Sequence, residues 1–289
     1  MFAKLRSAFT KEPPEGVEWL LQAYRGLLDE WGDEYFREAA LVLPNDAFYP
    51  VHTARPEQAI QQVFELTVEH AGLEDWPLRL VCEDAYSEIQ ALSHLPGTHQ
   101  GAVSSGLRFD AASEPATMLI TYVRDDLSSP DGFVYQCAAQ LATAALCDVQ
   151  QVPGGKRRFW QYVDVAVAFM GFGIFACNAS FVFQGFQDGL MEGYWCQRRG
   201  ALTPGECATS LAIFAALHGI PARTVQRHLS GNPRAAFGQA LKHLQQHHAT
   251  DLDDLGRLRG APVGSLSFPA ADAGGLVLCD EGKSDSQTR

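Results

Sequence analysis

The chain has 289 residues, 46% of them hydrophobic and 19% charged, which suits one large or two small globular domains and excludes disorder of the whole chain. Its 34 acidic and 22 basic residues give a net charge of −12, which argues against a surface devoted to the phosphates of duplex nucleic acid. The seven cysteines (82, 137, 147, 177, 196, 207 and 279) are odd in number, lack a Cys-x-x-Cys pair and are too sparse for a disulfide scaffold, so they read as reduced thiols of a cytoplasmic protein.

Residues 1–16 carry positive charge but no apolar core of a secretory signal. Over residues 16–40, Val17, Leu20, Leu21, Tyr24, Leu27 and Leu28 recur at helical spacing. A short strand is expected at 41–43, ended by Pro44 and Asn45. Arg55-Pro56-Glu57 opens a second helix that runs to Gly72, with proline in its first turn. Residues 78–82 (LRLVC) read as a strand, 84–100 as a loop, and 102–109 and 117–123 as two further strands. Pro130-Asp131-Gly132 reads as a break, followed by an apolar stripe of period 3.6 over 133–146.

A long apolar helix is expected over about 159–183. Its core, 165–183 (VAVAFMGFGIFACNASFVF), is long enough to span a bilayer and follows Lys156-Arg157-Arg158; the other reading is a buried central helix of a soluble domain, with Asn178 and Ser180 inside the stretch and Asp164 abutting it, and a family resemblance carried by residues given below implies that one. Thr203-Pro204-Gly205-Glu206 is a capping box with proline at the first helical position, and that helix ends near Gly219. Two more helices follow at about 221–229 and 233–247. From Asp251 the composition shifts to Asp, Gly, Ala and Ser, so 1–250 is expected as one domain and 251–289 as a poorly ordered tail. Charge is uneven: nine basic and four acidic residues lie between Val149 and Gln246.

The order of elements resembles that of zincin-type metallopeptidases. There a sheet edge lies over a helix bearing HExxH, whose two histidines share one helical face, and a later helix supplies a glutamate ligand. The chain further resembles a family of uncharacterised bacterial proteins with such a core. The matching stretches are 41–50 (LVLPNDAFYP), 171–181 (GFGIFACNASF), and Asn232, Arg234, Phe237, Leu241 and Leu244 in an NxRxxFxxxLxxL pattern. The resemblance covers about residues 17–246 and implies an α+β, mostly helical, zincin-like domain with a small sheet packed on a central helix.

The motif itself is degenerate. The family's AHELAH falls on residues 138–143 (AAQLAT), so Ala139 and Thr143 stand at the histidine positions and Gln140 at the general base. The later glutamate falls at Trp160 or Gln161, and Asp164 matches an outer or structural position. Alanine and tryptophan offer no ligating lone pair, and glutamine cannot take a proton from water as a carboxylate does. No HExxH or HxxEH occurs elsewhere. The expectation is therefore a pseudoenzyme without cofactor or metal, binding a protein or peptide segment by strand addition along 102–109 beside helix 133–146. Neither nucleic acid nor membrane is expected as a partner. Two alternatives stand beside it: an enzyme of other chemistry in the same cleft, and a membrane-associated protein anchored by 165–183.

The remaining chemistry-bearing residues read as ordinary. His243 and His247, at i and i+4, could clip a metal, but two imidazoles leave a zinc site short of ligands, and histidine suits a solvated helix end. His94 and His99 read as loop residues, Cys137 as a buried small hydrophobe, and Asp125, Asp126 and Asp131 as solvated carboxylates at the start of a helix.

Overall fold

A computed structural model describes residues 16–51, 53, 55–83, 108–110, 117–147, 149, 151–180, 182–188, 191–197, 199–257 and 266. The elements in chain order are α1 (Val17–Glu38), α2 (Pro56–His70), β1 (Leu78–Cys82), β2 (Arg108–Asp110), β3 (Thr117–Tyr122), a 3₁₀ turn (Arg124–Ser128) and α3 (Pro130–Ala145). There follow α4 (Phe159–Val167), a π turn (Ala168–Phe172), α5 (Gly173–Ala179), β4 (Val182–Asp188), β5 (Met191–Gln197), α6 (Pro204–Leu217), α7 (Ala222–Gln226), α8 (Gly231–His247) and α9 (Ala249–Arg257). The fold is α+β and mostly helical. One small mixed sheet has the order β1-β3-β2, with β1 parallel and β2 antiparallel to the central β3; β4 and β5 form a separate antiparallel pair.

The apolar stretch 156–179 is the centre of the fold, with 94% of its most apolar window buried inside the protein. It is the one described helical stretch long and apolar enough to cross a membrane. Its Phe169 sits in an aromatic nest with Tyr24, Trp31 and Phe36 of α1, at ring separations of 5.6, 5.6 and 4.4 Å. Each such ring, fully buried, stabilises the fold by roughly 2–3 kcal/mol. Tyr24 also donates its phenol proton to the Ser210 carbonyl at 2.8 Å, tying α1 to α6.

The stretch is not the single helix expected over 159–183. It breaks at Gly171, whose φ of +94° is left-handed, and a Cβ there would lie 2.0 Å from the Ala40 carbonyl oxygen. The chain after α1 crosses at this point, and Val42 N–H donates to the Gly171 carbonyl at 3.0 Å. That crossing also explains why 41–43 is no strand: its donor is taken by a helix break rather than a neighbouring strand. Beyond it Asn45 Oδ1 accepts from the amides of Ala47 and Phe48, folding 45–48 into a side-chain-capped turn.

Three other boundaries differ from expectation. Pro130-Asp131-Gly132 is not a break but the first turn of α3, because Ser129 Oγ accepts from Gly132 N–H and proline needs no partner at that position. The β4–β5 pair replaces the expected helix end and extends to Gln197. Residues 251–257, expected as tail, are helical, and α9 buries Leu255 against α6, α8 and α1. The capping box is as expected: Thr203 Oγ1 accepts from Glu206 N–H and Glu206 Oε2 from Thr203 N–H. The loop expected at 84–100 and most of the strand expected at 102–109 lie outside the described residues.

Gly171→Ala should destabilise the protein by ~3 kcal/mol or more, since it adds left-handed strain to a clash with backbone. Chemical denaturation of both forms measures the difference.

Candidate functional site

Two hydrogen bonds tie α3 to the central apolar stretch, one on each side of the Gly171 break. Asp131 near the start of α3 meets Asn178 of α5 at 2.8 Å, and Tyr135 one turn later meets Asp164 of α4 at 2.5 Å. One further turn along α3 is Ala139, and one turn back from Asp164 along α4 is Trp160. Ala139 is completely buried, and half-buried Trp160 packs on the core with its ring edge-on to Phe159. Thr143 turns its hydroxyl back onto the Ala139 carbonyl at 2.7 Å. Gln161 is half-buried beside Trp160.

Gln140 lies on the side of α3 that faces the sheet. Its Oε1 accepts from Thr121 N–H at 2.9 Å, and its Nε2 donates to the Thr121 carbonyl at 2.8 Å. Thr121 lies two residues beyond Leu119, which pairs with Arg108 of β2. The carboxamide therefore continues the ladder where β2 leaves off, presenting one donor and one acceptor as a strand residue would. Tyr122 packs edge-on to Phe133 beside it, seating the sheet on α3.

Asp164 is 4% exposed. Besides the Tyr135 hydroxyl, it accepts from the backbone amides of Ala201 and Leu202 at 2.6 and 2.8 Å. The amides reach it through Gly200, whose φ is +87° and whose hypothetical Cβ would fall 2.8 Å from the carboxylate and 2.6 Å from the Tyr135 hydroxyl. Burial, then the neighbouring carboxylate, pushes the Tyr135 phenol well above its ordinary pKa, so it stays a donor. This cluster holds the 199–203 loop and, through it, the start of α6.

Asp126 and Asp131 are not the solvated carboxylates expected. Asp126 is buried, accepts from Val123 N–H and pairs with Arg199 at 3.0 Å. Burial raises the Asp131 pKa, while the Asn178 amide lowers it in part. Asn178 also donates to the His228 carbonyl and accepts from Ser230 N–H, joining α3, α5 and the turn before α8. Cys137 is buried, and burial pushes its thiol far up, which leaves no thiolate for attack. The side chain of Asp125 and both His94 and His99 lie outside the described residues.

His243 and His247 are close, with ring centroids 4.7 Å apart. Partial burial, then the neighbouring His247 and His248, lowers the His243 pKa. Among the described residues no three His, Cys, Asp or Glu side chains are already placed to hold a metal ion.

No protein-family model, curated protein or solved structure matches the chain.

Sequence reasoning missed Tyr135, Arg199 and Gly200, which organise the ground around Asp164. The Tyr135–Ala139–Thr143 spacing of four marks one stripe of α3, but nothing local in the sequence names Asp164 as its partner.

Tyr135→Phe should cost ~1–3 kcal/mol and Asp164→Ala ~3–4 kcal/mol. The double variant should fall short of their sum, with a coupling of ~1–3 kcal/mol in a denaturation cycle. Asp131 binds its proton more tightly folded than unfolded. Its ionisation therefore removes stability as pH rises from the ordinary carboxylate value through the raised folded one. Asp131→Asn should lack that decline when denaturation midpoints are compared across mildly acidic pH.

Proposed function

We propose that the chain is a non-catalytic relative of a zincin-like metallopeptidase family, cytoplasmic, whose surviving role is to bind a protein or peptide segment. The observation that carries the reading is Gln140. At the position of the general base stands a carboxamide whose donor and acceptor are both spent on Thr121, a pairing that a glutamate could not make. The neighbouring positions support it: Ala139 is core, Thr143 bonds to its own helix, and Trp160 is packing.

Within the described residues β2 pairs with β3 on one side, and its other edge suits strand addition by an extended segment. The five free cysteines described, at 82, 137, 147, 177 and 207, accord with a reducing compartment. Enclosure of the 156–179 stretch by protein speaks against the membrane anchor, and commitment of Asp164 to Tyr135 and two amides speaks against a carboxylate-driven enzyme.

Metal analysis of untagged His243→Ala/His247→Ala protein, with and without added zinc, tests the reading together with cleavage of a mixed peptide library. No stoichiometric zinc and no cleavage are expected; one retained zinc per chain, or cleavage, overturns it. Gln140→Glu should not restore hydrolysis and should destabilise by ~1–3 kcal/mol, because a carboxylate accepts from Thr121 N–H but repels its carbonyl, which keeps only the longer 3.4 Å bond from Gln136 Nε2. Thermal melting and the same peptide assay check both parts.

A further inference from the structure

Three imidazoles and a carboxylate gather where α8 ends and α9 begins. His243 and His247 stand one helical turn apart with ring centroids separated by 4.7 Å, and the His248 ring lies 5.5 Å from His243. His248 Nδ1 is 2.8 Å from Asp251 Oδ2.

Two imidazoles on one tetrahedral ion, with metal–nitrogen bonds of ~2.0–2.1 Å, have centroids about 5 Å apart. The two observed separations bracket that value. Asp251 occupies Nδ1 of His248 and leaves Nε2 for an ion. A carboxylate behind a ligating imidazole fixes its tautomer and raises its basicity. The corner also lies at the C-terminal end of a 17-residue helix, where the last carbonyls and the helix dipole favour a cation. The rings do not enclose an ion as they stand. His247 is exposed, so its side chain is free to rotate toward the other two.

We propose that His243, His247 and His248, with Asp251 behind His248, bind one divalent d-block cation of the Zn²⁺ class. Imidazole nitrogens select such ions over Ca²⁺ and Mg²⁺, which take oxygen ligands. His243 and His247 belong to α8 and His248 precedes α9, so the bound ion fastens the corner between the two helices. That corner sets the angle at which α9 delivers Leu255 to the core. The site is separate from the lost zincin positions, which lie on α3 and α4.

Calorimetric titration of the untagged full chain with Zn²⁺ tests the proposal, alongside thermal melting with zinc and with EDTA. One ion per chain and a zinc-dependent rise in Tm are expected. His243→Ala and His247→Ala should each weaken binding by at least ~10-fold, and Asp251→Asn, which keeps all three imidazoles, by ~10-fold. Unchanged melting of the variants in EDTA shows that they fold, and Asp251→Asn serves as the test should a histidine variant fail to.

Absence of zinc-dependent heat and of any Tm shift in the unaltered chain overturns the proposal. So does equal zinc affinity in the His243→Ala/His247→Ala double variant. That second result would place the ion elsewhere and would count against the non-catalytic reading of α3 and α4 as well. Loss of zinc in the double variant leaves that reading intact.

Discussion

A carboxylate almost wholly removed from water has to be surrounded by donors, and the arrangement around Asp164 follows from that need. From α4 it gathers partners out of two distant parts of the chain, Tyr135 on α3 and the Ala201 and Leu202 amides. The amides reach it only because Gly200 has no side chain and adopts a left-handed conformation. Three residues after Gly200, Thr203 opens α6 with its capping box, so the position of one buried charge is passed to the start of a core helix. Removal of Asp164 would strand two amides and a phenol together, which makes the cluster cooperative rather than a sum of contacts.

On the proposed reading, the cross-link that a metal would supply between α3 and α4 has been replaced by ordinary cohesion. Ala139 and Trp160, which stand at the matched positions, contribute apolar packing, and the Tyr135–Asp164 hydrogen bond ties α3 to α4. Gln140 joins the helix to the sheet instead of activating water. A carboxamide does this better than a carboxylate because a backbone residue offers both a donor and an acceptor.

What was legible in the sequence was what is decided locally. The capping box at Thr203 needs only four residues, and the apolar stripe of α3 only its own periodicity. Pro130 was ambiguous because proline both breaks helices and begins them; the Ser129 hydroxyl decides for a beginning. Residues 41–43 have a strand's composition, but their donor was claimed by Gly171, some 130 residues away in sequence. The β4–β5 pair was hidden because the apolar run of the helix continues into Val182 and Phe183, although Asp188-Gly189 carried the signal of a hairpin turn. The positions set against the HExxH motif came from the resemblance, and their contacts could not. Asp164 and Tyr135 are 29 residues apart, and Gln140 and Thr121 are 19 apart. Asp251 was assigned by composition to a tail, which hid its pairing with His248.

The burial of residues 156–179 also constrains the order in which the protein can be made. α1, which covers one side of this stretch, leaves the ribosome first, but α6, which packs against the π turn and α5, is synthesised afterwards. Until residue 217 has emerged, the most apolar part of the chain lacks the cover of α6 and offers a target to chaperones or to the membrane-insertion machinery. The break at Gly171 falls inside the π turn, between the nine-residue α4 and the seven-residue α5. The kink that accommodates the Ala40 crossing thus interrupts the stretch whose length and composition suit a bilayer, so its final shape, like its shelter, depends on contacts with the rest of the chain.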